Sequence, residues 1–417
     1  MYIIINWGGY MRTAVVTVGK ELLTGRTVNT NLRTIAMKLK SIGIDVNRSY
    51  VIDDLKKEFK TILDFLDEDL VIFTGGLGPT VDDITRETVI GYYGMETYTD
   101  QDTLDNIKQM FDKAEVEMKS SNNKQALFPK GSIKLGNNLG TAPGVYFKVD
   151  NKRIILLPGP PHEMEPVLNE AIEIIKNELD INLISRGFKL VGTGESSMEN
   201  NLKGFYGVHS KVNVAPYANV GEIKYIFTSS DTDALDRAMK DFYNKFSEFI
   251  FGGLEDTLES VVIELLREQN KVIAVAESCT GGMLSSRLVN VSGSSNAFKE
   301  GLVTYANEAK MKYLDVQEET IRKFGAVSPE VAKEMCDNLY EKSDADITLS
   351  ITGIAGPNGG SEEKPVGLVY FGINHMGKTT IYRKVFNGNR EMVRIRSVIF
   401  ALNKAREVLI EYAEIKN

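Results

Sequence analysis

Histidine is scarce in this chain: His162, His209 and His375 are the only three among 417 residues. That scarcity starves any Ser–His triad and any histidine-rich metal centre, so a nucleophile or a metal must draw on other side chains. Cysteine is scarcer still. Cys279 and Cys336 cannot frame a disulfide scaffold and suit a reducing compartment. No apolar run approaches the ~20 residues that span a bilayer, so a cytoplasmic location and no membrane partner are expected. The opening segment MYIIINWGGYMR has a greasy patch but no basic stretch before it and no small-residue cleavage site, which argues against a signal peptide. Met11 is a candidate start, with residues 1–10 a tolerated extension. A basic excess is missing too: 49 Lys and Arg stand against 57 Asp and Glu, a formal charge of −8, with no dense Lys/Arg run. Direct nucleic-acid binders carry a basic face, so the balance favours small-molecule chemistry.

What is present divides into three pieces, as the length prior suggests. TAVVTV (13–18) has the pattern of a buried strand. Leu32, Ile35, Ala36, Leu39 and Ile42 then fall at helical spacing from Asn29, and Gly43 supplies a stop. A strand over Val46–Ile52, a helix carrying Leu55, Phe59, Ile62, Leu63 and Leu66, and the strand LVIFT (70–74) complete a βαβαβ order. That order predicts a doubly wound α/β sheet with ligand loops beyond the carboxyl ends of its strands. A hairpin at 144–157 leads into a helix ending near Leu179. Residues 185–251 read as a small α+β module, a spacer or dimerisation unit. Gly252–Gly253 is the expected boundary, followed by the helix DTLESVVIELLREQ with Asp256 as N-cap. Strands at 271–276 and 346–352, helices near 308–323 and 328–342, two further strands and a closing helix predict an α/β sandwich. The expected domains are therefore 11–170, 171–253 and 254–417.

In the last domain, AESCTGGMLSS sets Ser278 at a strand-to-helix turn, where a hydroxyl projects beside unpaired helix amides. A lone serine there is commonly only a cap. With no histidine nearby in sequence, the proton acceptor for an attacking Ser278 has to be another group. Lys310, in VTYANEAK, is the candidate, provided burial lowers its pKa from ~10.4 towards roughly 7–8. Alone, Lys310 would equally suit a solvated surface. Tyr305 in the same segment could orient the proton. Cys279 is the rival nucleophile, with a small buried thiol as its plainer reading.

The first domain carries four Gly/Pro loops: GKELLTG (19–25), GGLGPTVDD (75–83), GTAPG (140–144) and LPGPPHEM (157–164). Glycines let a backbone approach a phosphate, and Asp82 with Asp83 offers hard oxygens to a divalent cation bridging it. Tight βα turns and an N-cap explain the same residues more simply.

The motifs at both ends resemble the CinA (competence/damage-inducible) family. AESCTGG, GSSNAFKEGLVTYANEAK, GAVS, SITGIAGPNGGSEEKPVG and FNGNR, in that order, are similar to the family's carboxy-terminal domain and to stand-alone nicotinamide-nucleotide amidases. The resemblance implies deamidation of nicotinamide mononucleotide, with Ser278 as nucleophile, Lys310 as base and Tyr305 as their partner. It also implies substrate contacts at Thr280, Gly281, Thr352, Gly353 and Gly356, and phosphate binding by Arg390. The four amino-terminal loops resemble the family's molybdopterin-binding-like domain, followed by a KH-like module. They imply a metal-dependent pyrophosphatase cleaving ADP-ribose to AMP and ribose 5-phosphate. The implied substrate contacts are Gly19, Glu21, Asn31, Gly75, Gly76, Gly78, Thr80, Gly140 and Gly159. The implied metal ligands are Asp82, Asp83 and Glu163, and a homodimer is the expected assembly. The other readings left open are a first domain that only binds a pterin or nucleotide, and a non-catalytic competence or repair accessory.

Overall fold

The computed structural model describes residues 11–416, so the reading of residues 1–10 as an extension lies outside the described residues. The chain forms two compact units that meet at Ser185–Arg186.

The first unit runs through β1 (Thr13–Val18), α1 (Lys20–Leu23), α2 (Thr30–Ser41), β2 (Arg48–Ile52), α3 (Lys56–Phe65) and β3 (Leu70–Thr74). It continues with α4 (Thr85–Tyr92), β4 (Thr97–Thr99), α5 (Gln101–Lys113), β5 (Leu127–Pro129), β6 (Ile133–Leu135), β7 (Gly144–Val149), β8 (Lys152–Leu157) and α6 (Pro161–Glu178). The main sheet has the order β2-β1-β3-β8-β7-β6. Val15 pairs with Ser49 on one side and Ile72 on the other, both in parallel register. β8 joins β3 in parallel, whereas β7 and β6 run antiparallel. Only Asp150 and Asn151 separate β7 from β8, too few residues for a crossover, so the far side of the sheet is antiparallel.

Alternate residues of β1 feed opposite cores, as strand geometry demands. Ala14, Val16 and Val18 pack with Phe59, Ile62 and Leu63 of α3. Val15 packs with Ile35 and Leu39 of α2 and with Leu168 and Ile172 of α6. Burial on both faces is why Ala14, Val15 and Val16 follow one another without a polar alternation. Asn29 caps α2 by accepting from Leu32 N, and Gly43 beyond its end holds φ 80. The break expected at 170/171 falls inside α6, where Val167 and Leu168 on one side and Ala171, Ile172 and Ile175 on the other fill one core. The unit therefore carries on to Ser185.

The second unit opens with a small module: β9 (Ile184–Val191), α7 (Glu195–Asn201), α8 (Phe205–Val208), β10 (Asn213–Asn219), β11 (Glu222–Ser229), α9 (Thr232–Phe246) and β12 (Ile250–Gly252). Its sheet has the order β10-β11-β9-β12, and Phe242 of α9 packs 5.0 Å from the rings of both Tyr225 and Phe227. Then follow α10 (Leu258–Glu268), β13 (Ile273–Glu277), α11 (Met283–Val289), β14 (Phe298–Val303), α12 (Asn307–Leu314), α13 (Glu318–Phe324) and α14 (Pro329–Ser343). β15 (Ile347–Gly353), β16 (Leu368–His375), β17 (Lys378–Val385) and α15 (Arg390–Lys416) complete it. The sheet order is β14-β13-β15-β16-β17, parallel through β14, β13 and β15 and antiparallel beyond. α10 and α15 cover one face through Val262, Leu266, Val398 and Leu402; α12 and α14 cover the other through Leu314, Val331, Met335 and Leu339.

Three local expectations change. Thr257, not Asp256, caps α10, in a reciprocal pair with Ser260, while Asp256 accepts from Gly253 N at 2.7 Å. The helix expected over 308–323 is two helices, because Asp315 turns left-handed at φ 49 and ends α12. Gly252–Gly253 does not separate two cores: Val191 and Phe251 of the small module pack into the same cluster as Leu258 and Val262. Among the described residues no helix is long and apolar enough to cross a membrane.

Candidate active sites

β13 ends at Glu277, and the turn Ser278–Gly282 hangs from its carboxyl end. What shapes this turn is the Glu277 carboxylate, which is fully buried. It accepts from Gly282 N and Leu284 N at 3.0 Å, from Ser285 N at 2.8 Å and from Ser285 Oγ at 2.7 Å. Those donors include the first-turn amides of α11 that would otherwise lack partners. Ser278 N donates to Ile351 O at 2.9 Å, fixing the nucleophile's backbone to β15. Among the described residues, the Thr280 amide donates to no protein acceptor and the Cys279 amide meets only its own thiol, which leaves two N–H groups in the turn after Ser278.

α12 brings Lys310 to the same point. Its Nζ lies 3.0 Å from Ser278 Oγ, 2.8 Å from Thr304 O and 3.3 Å from Tyr305 O. Lys310 is 1% exposed and Ser278 8%. Burial lowers the ammonium pKa from 10.5 to about 8, because the charged form loses its water. The three neighbours sort themselves chemically. Two are carbonyls that only accept, and a neutral amine has two N–H groups to give them. Its lone pair is then left for the one partner that can donate, the Ser278 hydroxyl. Cys279 has no such arrangement: burial pushes its thiol up to about 12, so it holds its proton at neutral pH.

The other expected residues gather around this pair in part. Arg390, first residue of α15, donates to Gly356 O at 2.9 Å and to Tyr305 Oη at 3.0 Å. The Tyr305 side chain is 61% exposed and points to Arg390, while only its backbone carbonyl meets Lys310. Tyr305 thus stands at the arginine side of the site, not between nucleophile and base. Thr352 Oγ1 donates to Ala326 O at 2.8 Å, and Gly353 closes β15 beside it. Thr280 and Thr304 each bury a hydroxyl that makes no hydrogen bond among the described residues. Two contributors escaped the sequence reading. Glu277 left a trace, a carboxylate ending an otherwise apolar strand; Arg394, four residues after Arg390, donates to Thr280 O at 2.7 Å.

In the first unit the loops after β1, β3 and β8 converge. Asn31, at the start of α2, donates to Thr74 Oγ1 at 2.9 Å and to Gly159 O at 2.8 Å, and its Oδ1 is buried without a partner. Gly75, at φ 103, leaves room for nothing larger: a Cβ there would stand 2.3 Å from Val18 O. Thr85 Oγ1 holds Gly75 O at 2.8 Å, and Thr85 N donates to Gly76 O at 3.1 Å. Gly19 N donates to Ile52 O at 3.0 Å, and the exposed Glu21 turns its carboxylate back over Gly19, where a Cβ would stand 2.5 Å from Oε1. Gly76, Gly78 and Asp83 line a small pocket with Arg86 and Lys124. Lys124 donates to Asp83 O at 2.7 Å and also to Thr80 O, closing the loop from 41 and 44 residues away with no signal in the sequence. Arg86 is wholly buried, bonded to the carbonyls of Gln125, Leu127 and Pro143, and burial lowers its pKa to about 10.

The expected metal ligands do not come together as three. Asp83 Oδ2 accepts from Thr80 N at 2.9 Å and Thr80 Oγ1 at 2.6 Å. Asp82 is exposed and makes no hydrogen bond among the described residues. Glu163 stands elsewhere: Asn137 Nδ2 donates to its Oε2 at 2.8 Å, and the carboxylate lies where a Cβ of Gly140 would be. Among the described residues no group of three His, Cys, Asp or Glu side chains could hold a metal ion. Glu163 is thus not part of one preformed set with the aspartates, because its carboxylate is turned onto the 137–140 loop.

Comparison with known proteins also divides the chain in two, with a gap between the matches that holds the small module. The family described as "CinA C-terminal domain" matches residues 255–409, and that described as "Probable molybdopterin binding domain" matches residues 14–177. A competence-damage inducible protein, so named, of Caldicellulosiruptor saccharolyticus is 40% identical over 411 residues, covering 96% of this chain and 100% of its own. A CinA-like protein of Kosmotoga olearia is 40% identical over 409 residues, covering 96% and 99%. The crystal structure of a protein CinA from Thermoplasma acidophilum is 37% identical and covers 40% of this chain and 98% of its own, with a TM-score of 0.37.

Proposed function

The chain belongs to the CinA family, and from that membership we propose that it is a two-site hydrolase of pyridine-nucleotide derivatives. Its second unit deamidates nicotinamide mononucleotide. Its first unit hydrolyses ADP-ribose to AMP and ribose 5-phosphate. The protein acts in the cytoplasm as a homodimer.

The amidase reading rests on one observation above all, the buried contact of Lys310 Nζ with Ser278 Oγ at 3.0 Å. Neutral Lys310 takes the hydroxyl proton as Ser278 Oγ attacks the carboxamide carbon. The amides of Cys279 and Thr280 meet the developing oxyanion. Lys310 returns its proton to the departing nitrogen, ammonia leaves, and an acyl-serine ester remains. Water, deprotonated by Lys310, then attacks the ester and frees nicotinate mononucleotide and Ser278. Arg390 holds the substrate phosphate.

In the first unit, Gly75, Gly76 and Gly78 let backbone approach the diphosphate, and the unpartnered Asn31 Oδ1 offers an acceptor where three loops meet. A divalent cation held by Asp82 and Asp83 would neutralise phosphate charge and activate water.

The test is direct. The full chain should release ammonia from nicotinamide mononucleotide without added metal, and AMP from ADP-ribose only with magnesium or manganese. Asp82→Asn and Asp83→Asn should each reduce AMP release by about 10-fold or more while ammonia release is unchanged. Tight binding of ADP-ribose with no AMP formed under any divalent ion would make the first unit a binding module.

A further inference from the structure

At the far end of the second unit's sheet lies a cavity that neither hydrolytic reaction uses. Ile347, at the start of β15, pairs with His375, at the end of β16. The Ser278 turn stands at the other end of β15, where Ser278 N donates to Ile351 O. Four residues of strand, about 13 Å, separate the two levels. Between the β16–β17 hairpin and the last turns of α15 the cavity has a volume of about 360 Å³, in the range of small-molecule sites. Ile373 and Val408 give it apolar walls, and His375, Tyr382 and Tyr412 line it with rings.

Behind one wall is a cation with no counter-ion. Lys271 is 7% exposed, and among the described residues it makes no ion pair. Its Nζ lies 4.1 Å from the centre of the Tyr412 ring and 3.2 Å from His375 Nε2. An ammonium has only N–H groups to give, so Nε2 is the acceptor and the ring proton sits on Nδ1. Burial first, and then the Lys271 charge, hold this imidazole below its ordinary range, which keeps it neutral at pH 7. His375 lines the cavity and Lys271 does not. Nδ1 is therefore the ring nitrogen left for the cavity, and it has no acceptor among the described residues. Asp346, whose charge also acts on the ring, is bonded to Val272 N at 2.8 Å and does not line the cavity.

We propose that this cavity binds a small aromatic carboxylate. A carboxylate oxygen accepts from His375 Nδ1, and the imidazole links it to Lys271, giving the buried cation the anion it lacks. The ligand ring packs with Tyr382 and Tyr412 over the apolar walls. Lys378, exposed at the rim, adds a second positive charge, while Glu411, exposed on the same rim, disfavours a dianion such as a phosphomonoester. Nothing in this inference depends on the amidase reading.

The experiment titrates the full-length protein with 4-fluorobenzoate, and with 4-fluorobenzamide as its uncharged isostere, by fluorine NMR. Wild type should bind the acid about 10-fold or more tighter than the amide, as a charge-assisted hydrogen bond predicts. His375→Phe keeps a ring, removes the N–H, and should bring the two affinities together. Lys271→Met should weaken the acid by about the same 10-fold factor and leave the amide unchanged. Lys378→Gln, at an exposed position where folding is not at risk, should weaken the acid about threefold. Thermal midpoints report that each variant is folded. Equal affinities of the wild type for acid and amide would overturn the proposal. So would acid binding that persists in His375→Phe and is displaced by nicotinamide mononucleotide, which would put the acid at the Ser278 site instead. Unchanged acid affinity in both Lys271→Met and Lys378→Gln would overturn it too, whatever the fate of the His375 variant.

Discussion

A lysine amine that is 1% exposed, with two carbonyls and one hydroxyl around it, turns a surface charge into a base. The sign of its pH dependence follows from its direction. Burial lowers the Lys310 pKa to about 8, so the neutral, proton-accepting form is present above that pH and lost below it. Ammonia release should rise about tenfold per unit up to a plateau above pH 8; a midpoint near 6.5, where histidine titrates, would point to another base. Ser278→Ala and Lys310→Ala should each lower kcat by about a thousandfold or more, without adding in the double variant, because nucleophile and base act as a unit. Lys310→Arg should not rescue, since guanidinium keeps its proton. Cys279→Ala should stay within about threefold of wild type, since a thiol pushed up to about 12 is not the nucleophile near neutral pH. An active Ser278→Ala with a dead Cys279→Ala would make this a thiol amidase.

Between elements, the loops carry chemistry only because strand ends hold them still. The turn after β3 presses Gly75 against the last carbonyl of β1. Gly75→Ala should therefore cost about 1–3 kcal/mol from a positive φ and a contact that backbone cannot relieve, seen as a lower thermal midpoint of the first unit and lost ADP-ribose binding. Gly91, inside α4, is the control. A Cβ there meets nothing within 4 Å, and alanine should stabilise the helix by up to about 1 kcal/mol. Equal midpoints for the two variants would contradict this reading of the loop. The same logic explains α11, a helix of seven residues whose start is fixed by a carboxylate from the preceding strand rather than by a capping residue of its own.

At the scale of the molecule, the small module is fastened to the amidase core rather than strung before it. Arg406 of α15 donates to Ile250 O at 3.2 Å. Arg287 of α11 pairs with Glu259 and lies 3.6 Å from Glu222 of the module's β11. Val191 and Phe251 complete the core apolar cluster. The glycine pair at 252–253 and the start of the family match at residue 255 both point to a fragment from Leu254, while the compact unit begins at Arg186. A 186–417 fragment should fold and keep the amidase rate of the full chain. The 254–417 fragment should melt lower, having lost two buried apolar side chains worth about 1.5–3 kcal/mol each. Equal melting and equal activity of both fragments would show the fastening to be dispensable.

What the sequence alone determined was whatever depends on near neighbours. Period-two and period-3.6 patterning placed β1, β2, β3, β7, β8, β13 and β15 and the helices α2, α3, α6, α10, α14 and α15, since burial selects apolar residues at those spacings, while β4, β5, β6, β14, α4 and α5 went unread. The motifs around Ser278, Lys310 and Arg390 were legible because each is a short run with its own turn chemistry. The tertiary structure decided what depends on distance along the chain. The Thr257 cap and the split at Asp315 turned on local competition that patterning does not resolve. The end of the first unit at Ser185, the turning of Glu163 away from Asp82 and Asp83, and the arrival of Lys124 at Thr80 and Asp83 needed the sheets assembled. So did the pairing of Lys310 with Ser278 across 32 residues, for a side chain becomes a base only when packing removes its water and leaves its lone pair one partner.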